Sequence, residues 1–374
     1  MKTILKVTEF NEFQALKNRW NDSLNESLDN NVFSTWEWLS IWWKHFGKEK
    51  QLIILLVEDK NEIIAIAPLI CSRHKFLNLG NFKKISFAGS PESDYNTFVL
   101  KEKKEKLSEL IFDYLNTHVD WDYLELEDIP ENSATIDLLY TAPMKMQYKY
   151  WETEQSDMCP YISLPNSMNA FLAGLSSNMR RNLKRYSRKL GEKCRLELKN
   201  YDEIGSVKEA METFFRLHQM RWESEGGLGA FNSPKIRGFH IDIAQCFAEK
   251  EWLDLNFVTA NDEPIAATYG FDYNQKAYVY LTGWDPTYSH YMIGNLAHMY
   301  SIQKSIQKGL KEYDLMRGDE LYKRLWTKKA RKNFEITFVQ KGFSSRIYKW
   351  LTKNTKIDFL FSKLGIPMLQ DEKI

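Results

Sequence analysis

An excess of charge of either sign is missing from this 374-residue chain: 51 lysines and arginines face 50 aspartates and glutamates, a formal net charge of +1. A generally basic DNA binder and an acidic tail are both excluded, and charge can act only through local clusters. Cysteine is scarce. Cys71, Cys159, Cys194 and Cys246 lie far apart with no C-x-x-C pair, which argues against a zinc ribbon or a dense disulfide framework and for reduced thiols. No apolar run reaches the roughly 18 residues of a membrane span, and the start, MKTILKVTEFNEF, has no apolar signal core. These absences predict a cytoplasmic protein without a transmembrane segment. The familiar catalytic signatures are missing too: no G-x-x-x-x-G-K-[ST], no G-x-G-x-x-G after a strand, no G-x-S-x-G, no H-E-x-x-H and no paired Cys/His spacing. Nucleotide hydrolysis, dinucleotide redox chemistry and zinc hydrolysis lose their support, and no metal is expected. The seven histidines are scattered.

What is present is a chain with 43% hydrophobic and 14% aromatic residues, enough for a large core, at a length that suggests two to three domains. Strand-like runs at Ile4–Thr8, Leu52–Glu58, Ile63–Cys71, Lys84–Ala88 and Tyr123–Glu127 alternate with helical patterns at Glu12–Leu28, Trp36–Phe46 and Lys103–His118, the mark of an α/β fold with mixed sheets. Ser34 and Glu37 read as a capping box for the helix at Trp36, with Phe33 and Trp38 stapled across it. Trp36, Leu39, Trp43 and Phe46 recur on one face. The hairpin Leu52–Glu58 and Ile63–Cys71 pushes Pro68 toward an edge or bulge.

The same order returns. Strands are predicted at Arg195–Lys199, Leu255–Thr259, Pro264–Tyr273, Lys276–Trp284, Tyr313–Met316 and Phe334–Val339, with helices at Val207–Ser224, Lys235–Lys250, Ile293–Lys308 and Glu320–Arg331. Arg19-Trp20 matches Arg221-Trp222, and Ile64-Ala65 matches Ile265-Ala266, at nearly constant offset. We read a duplicated α/β unit, with units over 1–150 and 160–345, a junction between Tyr140 and Tyr161, and a C-terminal helical tail over 346–374.

Two segments stand out chemically. Ser167–Leu190 places Leu175, Met179, Leu183, Tyr186 and Leu190 at helical spacing and gives its other face to Arg180, Arg181, Lys184, Arg185, Arg188 and Lys189 without one acid. Such a face is either solvated or the wall of an anion-binding groove. The run Tyr313-Asp314-Leu315-Met316-Arg317-Gly318-Asp319-Glu320-Leu321-Tyr322-Lys323-Arg324-Leu325-Trp326 reads as a strand, a glycine turn and a helix capped by Asp319. Capping does not account for Glu320, Tyr322, Lys323 and Arg324 together, and crowded polar groups beyond the carboxyl end of a strand are where open α/β sheets bind ligands. His218 and Arg221 share a helical face and can reach one point, or Arg221 can pair with Glu225.

The runs F-S-T-W-E-W-L-S-I-W-W-K-H-F-G (33–47), I-A-I-A-P-L (64–69), L-H-Q-M-R-W (217–222), P-I-A-A (264–267) and Y-D-L-M-R-G-D-E-L-Y-K-R-L-W (313–326) resemble the GNAT-type acyltransferases of the CelD/BioF2-like family, whose fold is shared with the FemAB transferases. The resemblance implies tandem duplicated GNAT-like acyl-CoA N-acyltransferase domains. It implies acyl-CoA, such as acetyl-CoA, as co-substrate, with its pantetheine between the splayed strands Lys276–Trp284 and Tyr313–Met316. The pyrophosphate would lie at the turn with Tyr291, Met292, Ile293, Gly294 and Asn295. The family's S-P-G there is Met292-Ile293-Gly294 in this chain. The first-half counterpart, Gly89–Tyr95, carries Glu92 and Asp94, so the first unit is expected to bind no donor and to wall the acceptor site. The implied roles are Asp319 or Glu320 as base and Tyr322 as acid, with His218, Arg221, Lys323, Arg180, Arg181 and Arg185 holding substrate.

The expected reaction moves an acyl group to an amine or hydroxyl of a sugar or cell-envelope polysaccharide precursor. Two alternatives remain open. One is a transferase using charged tRNA, held by Arg180–Lys189; the other is a non-catalytic scaffold of a polysaccharide system. Ile347–Leu364 offers a further possibility, peripheral contact with an anionic membrane.

Overall fold

The computed structural model describes residues 2–75, 81–102, 105–145 and 150–340. The tail segment Ile347–Leu364 lies outside them. Two compact units emerge: one from residues 1–156 with the chain from Lys332 onward, the other from Asp157–Arg331.

The first unit runs β1 (Lys2–Val7), α1 (Phe10–Ala15), α2 (Lys17–Asn25), α3 (Trp36–Phe46), β2 (Gln51–Asp59), β3 (Glu62–Lys75), β4 (Asn81–Phe87), β5 (Val99–Leu100), α4 (Glu105–His118), β6 (Tyr123–Pro130) and α5 (Ala134–Lys145). β1, β2, β3 and β4 pair antiparallel in turn, and β4 meets β6 in parallel at Lys84↔Tyr123 and Ile85↔Leu124. Pro68 lies in β3 between the stretch that pairs with β5 and the stretch that pairs with β4. There its missing N–H costs no ladder bond on that side. Leu55, Leu69, Ile85, Leu124 and Leu126 of the sheet share a core with Ile111 and Leu115 of α4 and Leu139 of α5.

A strand, β7 (Tyr150–Ser163), leads into the second unit, which continues with α6 (Met168–Gly174), α7 (Ser177–Gly191), β8 (Leu196–Asn200), α8 (Val207–Ser224), α9 (Pro234–Glu249), β9 (Leu253–Ala260), β10 (Glu263–Tyr273), β11 (Lys276–Trp284), α10 (Ile293–Gln307) and β12 (Glu312–Asp314). The sheet order is β7-β12-β11-β10-β9-β8, with β11 and β12 parallel. On one face Met179, Leu183 and Leu190 of α7 and Leu296 and Ile302 of α10 cover Val258, Ala266 and Val279. On the other, α8 packs so closely that a Cβ on Gly283 of β11 would come 2.4 Å from the backbone N of His218. The repeated order predicted from sequence is therefore present, and the fold is mixed α/β.

The last strand, β13 (Ala330–Val339), does not close the second unit. It pairs antiparallel with β6, Phe334↔Ile129 to Val339↔Tyr123, while β7 takes the place beside β12, Tyr313↔Ile162. Each sheet is completed by a strand from the other end of the repeat.

Several local expectations fail for physical reasons. Thr35, not Ser34, caps α3 by accepting from Trp38 N, because Val32–Ser34 already form a 3-10 turn held by Asn31. The Phe33–Trp38 staple is present at 4.9 Å, but the fully buried tryptophans of α3 are Trp38 and Trp42 rather than Trp36 and Trp43. The basic segment is two helices, since Leu175 leaves helical geometry and Ser176 caps α7. The junction holds α5 and β7. No α-helix spans 320–331: a 3-10 turn at Lys323–Leu325 leads into β13. Asp319 thus caps nothing. The reason is Lys323, whose ammonium gathers the carbonyls of Met316, Arg317 and Gly318 and fixes the chain as a loop.

Candidate functional site

β11 and β12 pair from Lys276↔Glu312 to Tyr278↔Asp314. β11 then runs on to Trp284, while the chain after β12 turns away through Met316 in the left-handed region (φ 61°). Asp314 anchors this departure: its carboxylate accepts from Met316 N at 2.9 Å and from Arg331 Nη1 at 2.5 Å. The two strands cease to pair beyond Tyr278 and Asp314, and the turn after β11 leads into α10. That turn is a 3-10 segment, Pro286–Tyr291, followed by left-handed Met292 (φ 53°) and the first turn of α10, which contains no acid. Its free N–H groups form a positive helix end. Gly294 lies against the Trp284 ring, where a Cβ would come within 3.1 Å. Asn295 Oδ1 is buried with no hydrogen-bond partner.

Arg221 of α8 stacks over Trp284 at 4.1 Å and Trp222 at 5.3 Å. It donates to Thr282 Oγ1 at 3.2 Å and pairs with Glu225 at 3.3 Å, so the predicted structural salt bridge and an orientation toward β11 coexist. His218 is fully buried; its Nε2 accepts from Trp222 Nε1 at 2.9 Å, and its Nδ1 has no partner. Burial, then Arg221 and His240, push its pKa down to about 3, so it is neutral at pH 7.

In the final motif, Lys323 is buried among the three carbonyls and Glu320 Oε2 at 2.9 Å. Tyr322 stacks on His298 with ring centroids 5.5 Å apart, and burial, then Glu320, hold its phenol protonated well above the usual range. His298 shares a 3.0 Å hydrogen bond with the Tyr313 hydroxyl. Burial, then Lys323 and Arg221, lower its pKa to about 3.

Of the residues predicted from sequence, Arg221, His218, Tyr322 and Lys323 come into one electrostatic neighbourhood, since Arg221 perturbs His218, His298 and Tyr322. Tyr291, Met292, Ile293, Gly294 and Asn295 form the turn beside it. Glu320 is exposed but tied to Lys323. Asp319 is exposed and paired with Arg324, which holds its carboxyl below the usual range. Arg180, Arg181 and Arg185 are exposed on α7: Arg180 donates to the carbonyls of Ala173 and Leu175 at the end of α6, Arg181 bonds Asn178, and Arg185 bonds Tyr186. α7 packs against the Pro286–Tyr291 turn and α10. His298 and Tyr313 were missed; the signal was a histidine on the buried face of a helix beside a tyrosine in a central strand, unreadable without the pairing.

Residues 177–324 match the acetyltransferase (GNAT) domain family. The chain carries a GNAT-type acetyltransferase domain. It is an acyltransferase, and its fold is shared with FemX, at 11% identity over 94% of this chain and 99% of that one with a TM-score of 0.63. A C-terminal domain assigned to a lysylphosphatidylglycerol synthetase of Agrobacterium fabrum is also similar, at 9% identity over 92% and 96% of the two chains with a TM-score of 0.52. A conserved protein of unknown function from Bacteroides thetaiotaomicron shares 11% identity over 91% and 100%, with a TM-score of 0.50. At these identities the likeness establishes fold. No sequence among the curated proteins matches the chain.

Proposed function

We propose that the second unit of this GNAT acyltransferase moves an acyl group from acyl-CoA to an amine, or a hydroxyl, of a sugar or cell-envelope polysaccharide precursor. The observation that carries this reading is that β11 and β12 cease to pair after Tyr278 and Asp314, while β11 runs on to the turn that opens α10. Free N–H groups at Ile293, Gly294 and Asn295 suit a diphosphate, and the unpaired stretch of β11 offers backbone groups to an extended amide-bearing arm. The likeness to a domain assigned to lysylphosphatidylglycerol synthesis supports an envelope-related acceptor.

Attack by the neutral acceptor nitrogen on the thioester carbonyl forms the C–N bond, and collapse breaks the C–S bond. Tyr322, kept protonated by burial, is the acid of this reading and protonates the departing thiolate. Glu320 is the better base of the two acids, because Arg324 stabilises the ionised form of Asp319 and weakens its appetite for a proton. Arg221 and His218, held by the two indoles, orient the acceptor. In the first unit, β4 and β6 pair only at Lys84↔Tyr123 and Ile85↔Leu124; Glu125 neutralises Lys84, and the further carboxylate of Glu127 repels a diphosphate, so that unit is assigned no donor.

Isothermal titration of coenzyme A into the full chain tests this. We expect one site, weakened several-fold in Gly294→Val, whose side chain collides with Trp284. Unchanged affinity in that variant would contradict the placement.

A charged tRNA donor is the second reading, favoured by the acid-free face of α7 beside the donor turn. Affinity for charged tRNA that falls steeply with salt and is lost on changing Arg181, Lys184 and Arg185 to Gln would support it, whereas a single coenzyme A predicts a shallow salt dependence.

A further inference from the structure

Beside Leu296 and Ile302, one stripe of the buried side of α10 is polar where burial calls for apolar residues. His298, Ser301 and Ser305, followed by Lys308 at the C-cap, recur at three- and four-residue spacing and so form one stripe; the first three are at most 2% exposed. The strands beneath answer with Asp254 and Asn256 of β9, Thr268 and Asp272 of β10, and Tyr313 of β12. Asn256 stands opposite Thr268, and Ala277, a small residue, separates Asp272 from Tyr313 in register. Lys304 reaches Asn200, Asn256 and Asp254, and Lys308 reaches Asp254 and Asp272.

Even with these pairs, Asn256 Nδ2, Thr268 Oγ1 and Asp272 Oδ1 have no hydrogen bond to protein, and Asn256 and Thr268 are 3% and 2% exposed. Each such atom left dry costs about 1–3 kcal/mol. They are an acceptor, a donor and a hydroxyl that serves as either, the set that water satisfies and an apolar filling does not. The stripe from His298 to Lys308 spans roughly 15 Å at the rise of an α-helix.

Its two ends differ. At one, His298 stacks on Tyr322 and bonds the Tyr313 hydroxyl, and Ser301 lies beside that same hydroxyl. At the other, the Lys308 side chain is 38% exposed. Acyl transfer to an amine that arrives as an ammonium ion releases two protons: the thiolate takes one as the C–S bond breaks, and the other must leave the site. From the geometry we infer that the seam beneath α10 holds a file of ordered water that conducts this second proton from the reaction site to solvent beside Asp272 and Lys308. This role rests on the acyl-transfer reading.

The groups facing each end fit the task. His298 faces Tyr313 of β12, Tyr322, Lys323 and Trp326 of the loop that follows it, and Arg221 of α8. Asp272 faces Asp254 of β9 and Lys304 and Lys308 of α10; burial and Asp254 raise its pKa to about 6 against the pull of both lysines, so its carboxyl exchanges protons near neutrality.

Two measurements decide it. A crystal structure at atomic resolution should show waters bonded to Asn256, Thr268, Asp254 and Asp272; a dry seam overturns the inference regardless of activity. Acetyl-CoA turnover with a panel of amino sugars and polyamines is then compared in wild type, Ser301→Ala, Thr268→Val and Asp272→Asn. We expect kcat down about tenfold with KM unchanged, a larger solvent deuterium isotope effect, and, in Asp272→Asn, loss of the inflection near pH 6. Unchanged kcat and isotope effect in all three folded variants sink the conducting role even if water is present. A wild-type chain inert with every amine removes the acyl-transfer reading, and the conducting role with it, while the crystal structure still reports whether the seam is wet.

Discussion

The guanidinium of Arg221 lies over the indole of Trp284 at 4.1 Å, and the far side of the site meets that same indole through Gly294. One ring therefore links the end of α8 to the start of α10. A planar cation stacked on an aromatic face is a use of arginine that lysine does not reproduce. Arg221→Lys and Arg221→Gln should lower kcat/KM alike, by roughly 10- to 100-fold, with the thermal midpoint little changed. Full activity in the lysine variant would show that charge alone suffices there.

The isosteric series in the last motif separates positioning from proton transfer. Tyr322→Phe removes one hydroxyl and should lower turnover by about 10²–10⁴-fold without altering coenzyme A affinity. Glu320→Gln should also slow turnover, while Asp319→Asn is expected to be almost silent, because its partner Arg324 is solvent-exposed and such pairs contribute little. Steady-state kinetics with three purified variants settle the order, and a slow Asp319→Asn beside a normal Glu320→Gln reverses our assignment of the base.

Stability should decline in acid through His218 and His298. Both have pKa values near 3 in the fold, against 6.5 for the free side chain. The unfolded chain therefore takes up protons first, and stability present above pH 6.5 is lost as pH falls toward 3. Thermal melts between pH 7.5 and 4 should show this slope, made shallower in His218→Gln. An unaltered slope in that variant would mean that His218 titrates normally.

The first unit predicts the opposite sign. Burial, then Glu125 and Glu127, raise the Glu335 pKa to about 8 from 4.5, so its contribution is complete below pH 4.5 and fades as pH rises through 8. Glu335→Gln should leave the melting temperature near pH 5 unchanged and raise it at pH 9. If the variant melts below wild type at pH 9, the fold favours the ionised carboxyl and its pKa is not raised.

Much of the architecture was legible. Strand β11 was read to the residue, because Lys276–Trp284 is bounded by turn residues and dense in β-formers, and α8 starts at its Ser206 cap. What failed depended on distant partners. The Glu320–Arg331 segment has helical spacing, yet the Lys323 ammonium folds back onto the carbonyls of Met316, Arg317 and Gly318, a preference no local window contains. β13 was found as a strand and listed with the second half, while its partner β6 lies in the first, since pairing is a property of the whole chain. The glycine turn and the turn before α10 were found by residue type; His298, one polar residue on a buried helical face, gave no comparable signal.

The exchange of closing strands sets an order of events during synthesis. The first unit's sheet lacks its strand beside β6 until residues beyond Lys332 leave the ribosome, and at about 5–20 residues per second that delay is on the order of ten seconds or more. For that time β6 presents an open edge, the kind of surface that recruits other strands. A chain stopped after Arg331 keeps every residue of the second unit and leaves the first unfinished, so premature termination there is expected to yield aggregation rather than a shorter soluble protein.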